Sequence, residues 1–335
     1  MAKACHIAAS LPDAGHAGED GAVGISGNSI VIDLDGVVWT GGEPIPGAAA
    51  GIAQLRDAGA RVAFFTNNSY STVERLRARL ARLGVPADPD DILTSSHAAG
   101  QLVTAGERVL AVGGPGVFEA LAARAAVVVD VATLVGALPE PADSEDLGEV
   151  LGQLAEAEPA AWAAAGPPPP APSPPAARSS TAGGRSAAQG LPVEAVVMGV
   201  DPRLDYRRVL LAAAAVRSGA RFVATNTDAT FPTPAGLVPG AGAGVAAVAT
   251  AGGRAPVVAG KPNAAAAELV RERLGTVAVM IGDRPDTDGE FAERLGARFA
   301  LVLTGVTPPD HGPLRPSPDV EAADLATLAG MLVAG

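Results

Sequence analysis

Short apolar runs ended by a polar or acidic residue recur along the chain, and between them apolar positions fall three and four apart. The runs at Ser29–Asp33 (SIVID), Arg61–Phe65 (RVAFF), Val109–Val112, Ala126–Val129, Ala195–Met198, Phe222–Ala224, Val257–Ala259, Val277–Ile281 and Ala300–Leu303 read as buried strands. Pro46–Ala58 and Tyr206–Ser218 read as helices. A further helix opens at Ser71, where Ser71 and Glu74 have the spacing of a capping box. Its Val73, Leu76, Leu80 and Leu83 form one stripe, and it stops at Gly84 with Pro86 beyond. Strands alternating with helices predict an α/β protein with parallel sheets.

Two stretches break the rhythm. From about Leu138 to Leu191 the chain is rich in Ala, Pro, Ser and Gly, with GPPPPAPSPP at Gly166–Pro175. Polyproline continues neither a helix nor a central strand, so a disordered insertion is expected over about 158–190, with a helix at Ser144–Ala157 on its near edge. Residues 1–27 have no long apolar run and include acidic side chains. They read as a disordered extension rather than a signal peptide or membrane anchor.

Composition narrows the partners. Hydrophobic residues make up 48% of the 335 positions but aromatics only 3%, so the core must be built from Ala, Val and Leu. The net charge of -12 argues against nonspecific binding to nucleic acid or an anionic membrane. One cysteine, Cys5, allows neither an internal disulfide nor a thiolate zinc cluster, and a cytoplasmic enzyme is expected.

Four segments at the ends of predicted strands carry chemistry. Asp33 and Asp35 lie two residues apart where a strand finishes, with Gly36 permitting a tight turn, so that one carboxylate can attack while the other handles protons. Thr66, Asn67 and Asn68 offer a hydroxyl and free backbone N–H groups before a helix, a natural phosphate cradle. Lys261 is one of only two lysines in a chain that otherwise uses arginine; it supplies a compact positive charge in Gly260-Lys261-Pro262-Asn263. Asp283, Asp286 and Asp288 follow the run VAVMI, where mutual repulsion is relieved by a hard cation such as Mg²⁺. Each segment alone has a bland reading as a turn, a cap or a solvated face. Together they lie where open α/β sheets place ligands.

The ordered set DLDGVVW, TNN, GKP and GDRPDTD resembles the haloacid dehalogenase superfamily of phosphatases. VGGPGVFEAL, VMGVDPRLDY, ATNTDATFPT and LVPGAGAGVAAV resemble its NagD-like, nitrophenyl-phosphatase-like branch. The resemblance implies a Rossmann-like core at 28–86 and 238–335 and an α/β cap at 87–237 carrying the Pro-rich insertion. It implies that Asp33 is the nucleophile and forms an aspartyl-phosphate, and that Asp35 is the acid and base. Mg²⁺ would be held by the Asp33 carboxylate, the Asp35 carbonyl and Asp283. Thr66, the N–H of Asn67 and Lys261 would hold the phosphoryl group, and Asp288 would orient Lys261 or a metal-bound water. Gly36 and Asn68 would support the site, and Asn226 and Asp228 are candidate cap residues facing substrate. Gly289 departs from the branch, which usually has a hydrophobic residue there.

The expected partner is a small-molecule phosphate ester, glycerol 3-phosphate or 2-phosphoglycolate first, with a homodimer through the cap as a candidate assembly. A nucleotide or sugar-phosphate phosphatase, a phosphomutase or phosphotransferase, and a non-enzymatic phospholigand-binding protein are the alternatives. The intact Asp35 position disfavours a pure dehalogenase.

Overall fold

The computed structural model describes residues 25–136, 193–233 and 236–334. The N-terminal extension, the helix expected at Ser144–Ala157 and the Pro-rich insertion lie outside the described residues. Two parallel sheets organise the rest. The first has six strands in the order Val320–Ala322, Arg298–Val302, Val277–Gly282, Ser29–Ile32, Arg61–Thr66, Ile92–Thr94. Alternate residues of each central strand face opposite sides: Ile30, Ile32, Phe64 and Ile281 enter one apolar cluster, whereas Val31, Phe65 and Met280 enter the other. Both faces are therefore covered, which is why these strands read as unbroken apolar runs.

The second sheet has five strands in the order Val257–Val258, Arg221–Ala224, Ala195–Met198, Arg108–Val112, Val127–Asp130. One of its faces packs on Tyr206–Arg217 and Ala241–Gly252, whose Ala-rich surfaces let helix and sheet approach closely. Among the described residues no helix is long and apolar enough to cross a membrane.

The α/β parallel-sheet expectation holds, with three local corrections. Ile92–Thr94 runs beside Phe64–Thr66 in the first sheet, although the sequence placed it past the border at 86. Val257–Val258 pairs with Val223–Ala224 and so extends the second sheet well beyond 237. Strands of two or three residues carry no periodicity, so only their pairing reveals which sheet they join. The helix expected at Ser71 begins instead at Val73 with Thr72 as its cap, the Thr72 hydroxyl accepting from the Arg75 N–H at 3.3 Å. The N–H of Ser71 is taken by Asn68 Oδ1 at 3.0 Å, which holds Ser71 in the preceding turn.

Candidate active site

A cleft of about 340 Å³ opens beyond the C-terminal ends of the central strands of the first sheet and is bordered by the second lobe. Asp33 directly follows the Ser29–Ile32 strand, and its N–H donates to Ile281 O at 2.9 Å, continuing the ladder. The chain then turns sharply, with the Leu34 carbonyl accepting from the N–H groups of Val38 and Trp39 at 2.9 and 3.2 Å. Gly36 sits at φ 85°, where a side chain would also collide with the Asp283 carboxylate. The turn feeds a short antiparallel pair, Trp39–Thr40 with Glu43–Pro44.

Asp33 Oδ1 accepts from the Leu34 N–H at 2.8 Å and faces Lys261 Nζ at 3.0 Å. Asp33 Oδ2 has no hydrogen-bond partner among the described residues. Lys261 is buried and also donates to Asp288 Oδ1 at 2.6 Å. Burial opposes its charge, but Asp288 and Asp33 hold its pKa above the ordinary lysine value. Burial pushes Asp33 well above the usual carboxylate range; Lys261 opposes this, and Asp288, Asp283 and Asp35 add to it.

Asp35 points its Oδ1 at the Trp39 indole N–H, 2.8 Å away, and its Oδ2 at the Thr66 hydroxyl at 3.4 Å. Its pKa is raised by burial, against the Trp39 hydrogen bond. Thr66 closes the neighbouring strand and lines the cleft. Asn68 acts within its own turn, its Oδ1 accepting from Tyr70 and Ser71. Asn67 does something that spacing did not suggest: its side chain ties the lobes together. Its Nδ2 donates to Asp228 Oδ2 and to the Lys261 carbonyl, both at 3.2 Å. Its Oδ1 accepts from the Lys261 N–H at 3.0 Å, and its carbonyl accepts from Asn226 Nδ2 at 2.7 Å. Asn226 and Asp228 both border the cleft.

Asp283 ends the Val277–Gly282 strand and is almost fully buried. Its Oδ2 accepts from the Val306 N–H at 2.6 Å, and the Thr307 hydroxyl donates to its carbonyl at 2.6 Å. Asp286 instead forms an ion pair with Arg284 at 2.8 Å, with 66% of its side chain exposed. Sequence reasoning missed Trp39, Arg284 and the Thr304–Thr307 loop. The signal for the loop was a glycine, Gly305, shortly after a buried strand on the same sheet edge; a side chain there would strike Asp283.

Two family models match, haloacid dehalogenase-like hydrolase over residues 30–125 and HAD-hydrolase-like over 258–334. The chain is 34% identical to D-glycerol 3-phosphate phosphatase of Mycobacterium tuberculosis over 83% of its own length, and spans 63% of that relative. It is 31% identical to phosphoglycolate phosphatase 2 of Arabidopsis thaliana, over 84% of each chain. The chain belongs to the haloacid dehalogenase superfamily. Within that superfamily it falls in the NagD-like branch, and its enzyme class is phosphoric monoester hydrolase. A solved structure of glycerol phosphate phosphatase from M. tuberculosis, in complex with magnesium, superposes with a TM-score of 0.66 at 31% identity. The match covers 90% of this chain and 77% of that one.

The donor set of this superfamily member fits a hard divalent cation. Carboxylate oxygens of Asp33, Asp283 and Asp288 lie within 4.8 Å of one another. Asp283 Oδ1 is buried with no partner, the kind of orphan that a cation satisfies. Burial, then repulsion from Asp288, pushes the pKa of Asp283 to about 7, a cost that a bound cation removes. Asp288 is already spoken for: Oδ1 holds Lys261 and Oδ2 accepts from the Arg284 N–H at 3.2 Å. Asp283 Oδ1 is therefore the carboxylate oxygen left over for a cation, with Asp33 beside it.

Proposed function

We propose that the protein hydrolyses a small phosphorylated metabolite, glycerol 3-phosphate or 2-phosphoglycolate, through a phosphorylated Asp33. The observation that carries this reading is Asp33 itself, clamped through one oxygen by Lys261 and the Leu34 N–H while the other is free, with Asp35 two residues on. The free oxygen attacks phosphorus in line with the ester oxygen, giving an acyl-phosphate and expelling an alkoxide. Asp35, whose pKa burial raises, gives a proton to that alkoxide, and its carboxylate then takes a proton from the water that cleaves the acyl-phosphate. Lys261, Thr66 and the Asn67 N–H bind the phosphoryl oxygens, while Asp288 fixes the lysine through its 2.6 Å contact. The Asp33 carboxylate, the Asp35 carbonyl and Asp283 would hold Mg²⁺, which would supply the charge neutralisation that lets an anionic carboxylate approach an anionic ester. The names of the relatives support the two candidate substrates.

A Mg²⁺ titration of nitrophenyl phosphate hydrolysis tests the assignment. Asp33→Asn is nearly isosteric and should fold but show no turnover, because an amide cannot form the acyl-phosphate. Asp283→Ala should raise the Mg²⁺ requirement at least about tenfold, whereas Asp286→Ala should track the parent. Turnover by Asp33→Asn, or parent-like Mg²⁺ dependence in Asp283→Ala, would sink the proposal.

A further inference from the structure

The loop at 304–307 touches the acids of the cleft without belonging to them. It follows the Arg298–Val302 strand, which runs parallel to Val277–Gly282 with Leu301 opposite Gly282. That register delivers the loop alongside Asp283. The Leu303 N–H donates to Ala322 O at 3.1 Å and anchors the loop at its start. The Thr304 hydroxyl then donates to the Gly36 carbonyl at 2.6 Å. The Val306 N–H donates to Asp283 Oδ2 and the Thr307 hydroxyl to the Asp283 carbonyl, each at 2.6 Å. Side chains on Gly305 and on Gly36 would both strike the Asp283 carboxylate, so loop and turn press on it together.

One loop therefore holds two segments that are far apart in sequence, the turn at 35–36 and the end of the Val277–Gly282 strand. The turn needs holding. Gly36 sits at φ 85°, and a glycine there lets the adjoining peptide units swing. The Gly36 N–H donates to Trp39 O at 2.7 Å, and the Gly36 carbonyl is taken by Thr304. The peptide units on both sides of Gly36 are thus fixed. A peptide unit is planar, so fixing the Gly36 N–H also fixes the direction of the Asp35 carbonyl. Asp283 is held through Oδ2 and its own carbonyl, which leaves Oδ1 buried without a partner. The separation between the Asp35 carbonyl and Asp283 Oδ1 is therefore set by a bracket, and Thr304 closes it. Mg²⁺ demands near-octahedral oxygen ligands at about 2.0–2.1 Å, whereas Ca²⁺ accepts about six to eight oxygens at about 2.3–2.6 Å in looser geometry. A fixed separation matters far more to the first ion than to the second.

We infer that Thr304 is a positioning residue of the metal site, and that the bracket it closes tilts the site toward the smaller cation, Mg²⁺ over Ca²⁺. This rests on the reading above, in which the Asp35 carbonyl and Asp283 hold the ion, and it names the residue outside that set that governs the fit.

The test measures the binding of Mg²⁺ alone and of Ca²⁺ alone to the full chain, without substrate, by isothermal titration calorimetry. Melting curves with and without each ion give a second readout. Thr304→Val keeps the shape and removes the donor, and Thr304→Ala removes it with less bulk; Thr304→Ser keeps it. Thr304→Val and Thr304→Ala should weaken Mg²⁺ binding about tenfold or more. Ca²⁺ binding should weaken less than about threefold. Thr304→Ser should bind both ions as the parent does. A threonine that only packs would lower the melting temperature of the metal-free variants and leave both dissociation constants alone. Parent-like Mg²⁺ affinity in the two variants without the donor, or equal losses for the two ions, overturns the inference and leaves the metal reading standing. A parent that binds neither ion overturns the metal reading, and this inference with it.

Discussion

Trp39 shows what single residues contribute beyond the acids themselves. Its indole N–H holds Asp35 Oδ1 at 2.8 Å, and the Arg79 guanidinium lies 4.0 Å above its ring, which fixes the ring in turn. Asp35 is thereby aimed before any substrate arrives. A general acid matters most when the leaving group is a poor one, as an alkoxide is and a nitrophenolate is not. Trp39→Phe keeps the ring and loses the donor. It should lower kcat/KM about 10- to 100-fold for glycerol 3-phosphate but only about threefold for nitrophenyl phosphate. Equal losses on the two esters, measured side by side, would mean that Trp39 merely packs. Asp33, Asp35, Lys261 and Asp283 were visible in the sequence because an acid or a lone lysine at the end of an apolar run is conspicuous. Trp39 was not, because its role depends on a five-residue turn that folds Trp39 back over Asp35, and no periodicity encodes that. The Asn67 side chain was hidden for a similar reason: its partners Asp228 and Lys261 are far away in sequence.

At the scale of elements, long strands and helices were legible and their edges were not. Ala195–Met198 coincides with its apolar run, and Tyr206–Arg217 differs from expectation by one residue. The start near Ser71 was misread because Ser71, Thr72 and Glu74 offer two overlapping caps, and the local turn in which Asn68 takes the Ser71 N–H settled the choice. The last helix, Leu325–Ala334, shows a cap at work. The Asp324 carboxylate accepts from the Thr327 N–H at 2.8 Å, and that hydrogen bond holds its pKa below the usual carboxylate value. This helix packs on Ala48–Asp57 so closely that a side chain on Gly51 would strike the Leu325 carbonyl, so fraying at Asp324 is felt in the core. A carboxyl whose folded pKa is depressed stabilises above its unfolded pKa and loses that effect as the pH falls through the folded value. Asp324→Ala should therefore destabilise by about 1 kcal/mol at neutral pH. The gap between variant and parent should begin to narrow as the pH falls past about 4, the unfolded value, and close as it passes through the lower folded one. Urea melts across that range decide it: a gap independent of pH would remove the cap from the account.

For the whole molecule, Asp33, Asp35, Thr66 and Asp283 stand at or just beyond strand ends of one sheet, while Lys261 follows a strand of the other. The chain passes from Val257–Val258, the last strand of the second sheet in chain order, to Lys261 with only Ala259 and Gly260 between. The Gly260 N–H donates to Thr225 O at 2.7 Å, and the Lys261 N–H is bound by Asn67. The main chain around Lys261 is thus tied to both lobes. This has a consequence for recombination between relatives. An exchange cut at 87 and 237 would take Ile92–Thr94 out of its sheet and leave Val257–Val258 with a foreign neighbour, so such hybrids should be poorly soluble or melt early. An exchange from Leu102 to Ala259 keeps both sheets whole. Hybrids cut there should stay soluble, retain turnover and adopt the donor's choice of ester, to be read from their melting curves and an ester panel. If the two kinds of hybrid behave alike, the seams lie elsewhere; if they differ as expected, this fold is inherited as two interchangeable parts with a join just ahead of Lys261.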